Sequence, residues 1–238
     1  MKILAIDTTA KTSSVSIVTE QKILAEYSVN LNLTHSQTIM PMCQNLLSCC
    51  QISLQDIDYF AVSSGPGSFT GLRIGLSAVK GMAYALQKPC IAVSTLDALA
   101  QNEPSFLGTI CAVMDARCQQ VYSACYQNDG CQMQKQTADR AILLDELLEE
   151  LKSLQQPILL VGDGAELCYI QFQSALPNLF LSSEQNRFQR ASSVGLLAVK
   201  KAQQGELLSA HEIIPQYLRL PQAERERLKK QTIERTTI

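Results

Sequence analysis

The apolar run Tyr59, Phe60, Ala61, Val62 empties into Ser63-Ser64-Gly65-Pro66-Gly67-Ser68, and from Phe69 to Leu86 apolar residues recur at helical spacing. This predicts a buried strand, a tight turn and a helix in immediate succession. Gly65 and Gly67 can take backbone angles closed to other residues, Pro66 stiffens the turn, and Ser68 or Thr70 can cap the helix.

The helix has two faces. Phe69, Leu72, Leu76, Val79, Ala83 and Leu86 form one apolar stripe, while Gly71, Gly75, Ala78 and Ala85 form a second of small residues, where another backbone can approach closely. Counting Gly81, three helical glycines would each cost about 1 kcal/mol against alanine if exposed, so close packing is expected to offset them. The turn itself admits three readings. A glycine-rich turn at a helix N-terminus can cradle an anion, although neither GxxxxGK[ST] nor GxGxxG is present. A nucleophile elbow would need Ser68 within GxSxG, which it is not. The remaining reading is a tight turn into a closely packed helix.

The 238 residues suffice for one large domain or two smaller ones. A net charge of −2 supplies no global attraction to nucleic acid. The nine cysteines contain no CxxC pair, and the spacings of Cys111, Cys118, Cys125 and Cys131 fit no zinc rule. They read as small apolar core residues of a reducing cytosol. Asp7 interrupts the first apolar run and no later run reaches membrane-spanning length, so the expected location is cytoplasmic.

Along the chain, residues 2–7, 14–19 and 22–29 read as three strands of a meander with Asp7 at the first hairpin. Residues 34–50 change to a helical period through Ile39, Met42, Cys43, Leu46, Leu47 and Cys50, with Thr34 as a cap. The strand and helix described above follow, then a strand at 90–94 and a short helix at 95–101. The series then begins again: an apolar strand at 109–115 ending in Asp115, strands at 121–126 and 132–136, a helix at 144–154, a buried strand at 158–161 emptying into Gly162-Asp163-Gly164-Ala165, and a helix at 192–203. This order predicts an α/β chain of two tandem ribonuclease H-like domains, mixed sheets flanked by helices, in the architecture shared by actin, Hsp70 and sugar kinases. The expected boundaries are 1–105 and 106–220, with a charged, flexible tail at 221–238.

Candidate chemistry is sparse. His35 opens the first long helix, but one turn onward stands Ile39, so no two-histidine metal site is expected. Asp7 with Thr8, Asp115, Gly162 and Gly164 could flank a nucleotide cleft, the carboxylates holding magnesium through water. Alternatively, each aspartate caps its own turn and each glycine serves turn geometry. Ser68, His35 and Asp7 form no recognisable triad in sequence.

The segment from Ser64 to Gly75, continued by Lys80-Gly81, resembles the signature of the TsaB (YeaZ) family. Met114-Asp115-Ala116-Arg117 with Val121-Tyr122, His35-Ser36 with Pro41, Gly162 to Ala165, and Pro215-x-Tyr217-Leu218-Arg219 extend the resemblance over nearly the whole chain. Cys118, Gln119 and Gln120 depart from the family's Arg-Gly-Glu, and Gln37 from its usual glutamate. The resemblance implies a non-catalytic scaffold that stabilises a TsaD-like transferase and recruits a TsaE-like ATPase, in N6-threonylcarbamoylation of adenosine 37 in tRNAs reading ANN codons. Its catalytic relatives carry a His-x-x-x-His metal pair, of which only His35 has a counterpart here. It further implies no resident cofactor, with ATP or ADP and magnesium at a complex interface as the lesser alternative, a homodimer when alone, and contact with tRNA only through the complex. The implied interface comprises His35, Ile39, Met42, Cys43 and Leu46 on one helix and Thr70, Gly71, Ile74, Gly75, Ala78 and Met82 on the other. Competing readings are an actin-like-fold nucleotide hydrolase or kinase and an M22-type glycoprotease.

Overall fold

The computed structural model describes residues 1–31 and 33–219; the expected charged tail lies outside the described residues. The first apolar runs form β1 (Lys2–Asp7), β2 (Ser13–Thr19) and β3 (Ile23–Val29). They pair antiparallel, and β1 then runs parallel to β4 (Tyr59–Gly65), which runs parallel to β5 (Cys90–Ser94). The resulting order is β3-β2-β1-β4-β5. β1 and β4 are central and covered on both faces, so they read in sequence as continuous apolar runs rather than alternating ones. Helices α1 (His35–Cys50) and α2 (Phe69–Leu86) lie on one face, filling a core around Leu4, Ile6, Phe60 and Val62.

The second sheet repeats this plan. Strands β6 (Gly108–Asp115), β7 (Gln120–Asn128), β8 (Met133–Lys135), β10 (Ile158–Val161) and β11 (Leu179–Leu181) stand in the order β11-β10-β6-β7-β8, and β9 (Arg140–Leu143) pairs with β7. Read from the meander side, β8-β7-β6-β10-β11 matches β3-β2-β1-β4-β5, so the duplication expected from the two aspartates is a duplication of topology. Asp7 and Asp115 end equivalent strands. Helices α4 (Leu144–Lys152) and α5 (Ala165–Phe172) cover one face.

Elements from each side of the boundary expected at residue 105 pack on the sheet of the other side. Helix α3 (Thr95–Ala100), from the first half, packs Leu96, Leu99 and Ala100 against Ile110, Ala112 and Val161 of the second sheet. In return, after the short α6 (Glu184–Arg187), α7 (Ala191–Gln203) packs Ala191, Val194, Ala198 and Val199 against Ile3, Ala5, Val18, Ile91 and Val93 of the first. Small side chains make that approach possible: a Cβ on Gly195 would lie 2.5 Å from Cγ2 of Val18. Arg190, which precedes α7, donates to Glu26 Oε2 of β3 at 2.6 Å, and the Ser192 amide donates to Glu26 Oε1 at 2.8 Å. The chain after α7 also returns to the first sheet, where Leu208 bridges Cys90.

Candidate functional site

The outer surface of α1 and α2 is the first candidate. Each helix turns one stripe inward, and these stripes contain much of the expected interface. Ile39, Met42, Cys43 and Leu46 of α1 are buried with Leu76, Val79, Met82 and Ala83 of α2. Ile39, Met42, Cys43, Leu46 and Met82 are therefore core residues of this chain, because the sheet beneath claims the most apolar face of each helix.

The small-residue stripe divides in the same way. Thr8, in the turn after β1, donates from Oγ1 to the Gly71 carbonyl at 2.7 Å. A Cβ on Gly71 would lie 2.0 Å from the Thr8 carbonyl oxygen, and one on Gly75 would lie 2.5 Å from Thr8 Oγ1. Gly71 and Gly75 thus admit the β1–β2 turn rather than a partner. What remains outside is a groove of about 600 Å³ lined by Ser36, Met40, Phe69, Thr70, Arg73, Ile74, Ser77 and Ala78, with Ile39 at its floor. Met40 is 47% exposed there. Of the expected interface residues, Ile39, Thr70, Ile74 and Ala78 line this groove; Met40, Arg73 and Ser77 line it too and did not stand out in sequence, because a period locates a stripe without saying which stripe faces inward. His35, half-buried at the head of α1, is held by a 2.7 Å hydrogen bond between its Nε2 and the Ala10 carbonyl. Thr34 precedes α1, but its side chain makes no capping bond.

The Gly-Pro-Gly turn is clamped from two sides. Gly65 has φ +130°, and a Cβ there would lie 2.3 Å from the Gln216 carbonyl oxygen; one on Gly67 would lie 2.6 Å from that of Thr9. Pro66, between them, is buried. The Ser68 amide donates to Thr9 O at 2.7 Å, while Ser68 Oγ caps α2 by accepting from the Gly71 amide at 3.3 Å. Two of the amides at this helix start, those of Ser68 and Gly71, are thus taken up within the fold, which favours the tight-turn reading. No relay joins Ser68 to His35 and Asp7, whose hydrogen bonds go to other partners.

The second candidate is the junction of the two sheets. Asp7 is fully buried: Oδ1 accepts from the Thr9 amide at 2.9 Å and from Thr9 Oγ1 at 2.7 Å, and Oδ2 accepts from Ser63 Oγ at 2.5 Å. Burial pushes its carboxyl above the usual carboxylate range. Asp115 is exposed and accepts from the Arg117 amide at 2.7 Å, closing a turn in which Arg117, Cys118 and Gln119 all have positive φ.

Gly162 has φ +114°, and a Cβ there would lie 2.0 Å from Val113 O; one on Gly164 would lie 2.9 Å from the Asp115 amide nitrogen. These glycines let the β10–α5 turn lie against the end of β6. Asp163 between them was missed; an acidic residue inside a buried strand-to-helix turn was its signal. Its Oδ1 accepts from Gln189 Nε2 at 3.1 Å, and burial, aided by the charges of Asp115 and Asp7, raises its carboxyl to about 6.

Of the set expected to flank a nucleotide, Asp7 and the two glycines are used by the fold, while Asp115 stays exposed. Both oxygens of Asp7 are committed within the fold, and backbone crowding accounts for both glycines. Among the described residues no group of three or more His, Cys, Asp or Glu is placed to hold a metal ion, and no helix is long and apolar enough to cross a membrane.

The family model described as TsaD, tRNA N6-adenosine threonylcarbamoyltransferase, matches residues 23–227. The tRNA threonylcarbamoyladenosine biosynthesis protein TsaB of Bacillus subtilis is 35% identical over 94% of this chain and 96% of its own length. The Escherichia coli protein of the same name is 36% identical over 69% of this chain and 72% of its own length. Among solved structures, YeaZ from Pseudomonas aeruginosa superposes with a TM-score of 0.78 at 28% identity, over 91% of this chain and 99% of that one. With the signature turn, the paired sheets and this end-to-end similarity in place, the chain belongs to the TsaB (YeaZ) family.

Proposed function

We propose that this chain acts in tRNA threonylcarbamoyladenosine biosynthesis as a non-catalytic scaffold subunit. Its α1–α2 groove docks a TsaD-like transferase, and the pair recruits a TsaE-like ATPase. The observation that carries this reading is the groove itself: exposed Met40 and half-buried Ile74 and Ala78 line it beside Thr70 and Arg73, on the helices that open with the family's signature segments. An apolar surface rimmed by polar groups is what a protein partner buries.

The reading of the chain as non-catalytic is supported by the position one turn beyond His35. There the transferase relatives carry a second metal-binding histidine, whereas this chain places Ile39, which is 2% exposed in the core. Asp7, equivalent in position to a kinase-like cleft carboxylate, is used to tie the first hairpin to β4. The same groove serves a second copy of the chain when no transferase is present, and tRNA is reached only through the complex.

The test is reconstitution. The purified chain alone is expected to form no threonylcarbamoyladenosine on tRNA, and to raise product formation when added to a TsaD-like and a TsaE-like protein from the same organism. Product made by the chain alone would overturn the scaffold reading. Micromolar binding of ATP and magnesium to the isolated chain, measured calorimetrically, would favour the nucleotide hydrolase or kinase reading instead.

A further inference from the structure

The second sheet contains a pair of thiols that the scaffold role does not use. Cys111 of β6 and Cys125 of β7 are direct partners in an antiparallel register. Their side chains therefore emerge on the same face, with Cα atoms about 4.5–5.5 Å apart, within the span of about 4.4–6.8 Å that a disulfide bridges. Cys111 is fully buried and its Sγ lies 3.6 Å from Ser123 Oγ; Cys125 reaches the margin of the core with 8% exposure.

The two sulfurs have unlike surroundings. A hydrogen bond to Cys125, reinforced by burial, holds the proton on Cys111. Cys125 is shifted the other way, first by accepting from Cys111 and further by the charge of Arg140, with burial opposing. Arg140 belongs to β9, where it stands opposite Ser123, two residues from Cys125 on the same face of β7. One arm of its guanidinium binds Glu150, but its buried Nε–H has no hydrogen-bond partner. The guanidinium charge favours the thiolate form of Cys125, and the carboxylate of Glu150 bound to it opposes that effect in part.

We propose that Cys125 is a peroxide-sensitive thiol and Cys111 its resolving partner, forming a reversible cross-strand disulfide within the second lobe. The Cys125 thiolate attacks one oxygen of hydrogen peroxide; the O–O bond breaks, Cys125 becomes a sulfenic acid, and the departing hydroxide takes up a proton as water. Cys111 then loses its proton and its sulfur displaces hydroxide from the Cys125 sulfur, giving the disulfide and a second water. Overall, two thiols are oxidised by two electrons, one peroxide is reduced and two waters are released. A dithiol reductant reverses the change.

The test uses the full chain with the exposed Cys49, Cys118 and Cys131 replaced by serine. After peroxide treatment under conditions where circular dichroism remains that of the folded protein, free thiols are alkylated and the digest is mapped by mass spectrometry. The expected result is a peptide pair linked through Cys111 and Cys125 and lost on treatment with dithiothreitol. In a Cys111→Ala background, which retains a small apolar core residue, Cys125 is expected to persist as a sulfenic acid that dimedone traps. Recovery of both cysteines as alkylated thiols from the oxidised, folded protein would overturn the proposal. So would linkage of either one to Cys168 instead.

Discussion

Thr8 Oγ1 donates to the carbonyl of Gly71 at 2.7 Å, tying the turn after β1 to the first coil of α2. A methyl group on Gly71 would stand 2.0 Å from the Thr8 carbonyl oxygen, whereas one on Gly81 would meet nothing within 4 Å. Two glycines ten positions apart on one helix therefore predict opposite outcomes. Gly71→Ala should destabilise the folded chain by about 1–3 kcal/mol through overpacking against backbone. Gly81→Ala should stabilise it by about 0.5–1 kcal/mol through helix propensity. Urea denaturation of the two variants against the parent decides both signs.

The docking proposed above uses the groove and not the buried stripe beneath it. Met40 is 47% exposed at the groove and makes no core contact that a charge would break. Met40→Asp should therefore leave the denaturation midpoint nearly unchanged while raising the dissociation constant for the TsaD-like partner about tenfold or more, the cost of desolvating a carboxylate against an apolar surface. Titration calorimetry with the partner measures it. An unchanged dissociation constant would move the docking site elsewhere.

The contrast between Met40 and Ile39 shows how far the sequence could be read. The central strands β1, β4, β6 and β10 were legible because strands covered on both faces are continuously apolar, and the helical period located α1 and α2 within a residue. Period alone assigns no direction, however. Ile39, Met42, Cys43 and Leu46 formed the stripe that stood out, and apolarity is why the sheet takes them first. Strand β11 has only three residues, and α5 turns Leu167 and Ile170 outward, so neither showed a strong pattern. The helix over α7 was legible; its destination on the first sheet was not, since Ala191, Val194 and Ala198 would suit either sheet.

Asp163 makes stability depend on pH. Its carboxyl, raised to about 6 in the folded chain from 3.8, binds a proton more tightly folded than unfolded. The associated stability is fully present below about 4 and is lost as pH rises through about 6, amounting to about 3 kcal/mol at most. Asp163→Asn keeps an oxygen to accept from Gln189 Nε2 and removes the ionisation. Thermal melts between pH 4 and 7 should show the parent losing more stability than the variant. Parallel slopes would remove Asp163 as the source.

The crossing of α3 and α7 sets the folding unit. A chain ended at residue 105 would contain every strand of the first sheet and both helices of one face, yet would leave Ile3, Ala5, Val18, Ile91 and Val93 without the Ala191, Val194 and Ala198 that cover them. It would also leave Leu96 and Leu99 of α3 without Ile110 and Val161. Exposed apolar area on both sides of the cut is a strong drive to aggregate. The fragment 1–105 is therefore expected to be insoluble, or to bind a hydrophobic dye and melt without cooperativity, and co-expression with residues 106–238 should restore a soluble complex of the two pieces. A cooperative, dye-silent melt for 1–105 alone would mean that the first sheet tolerates an open face. The sequence boundary at residue 105 would then be a true domain boundary.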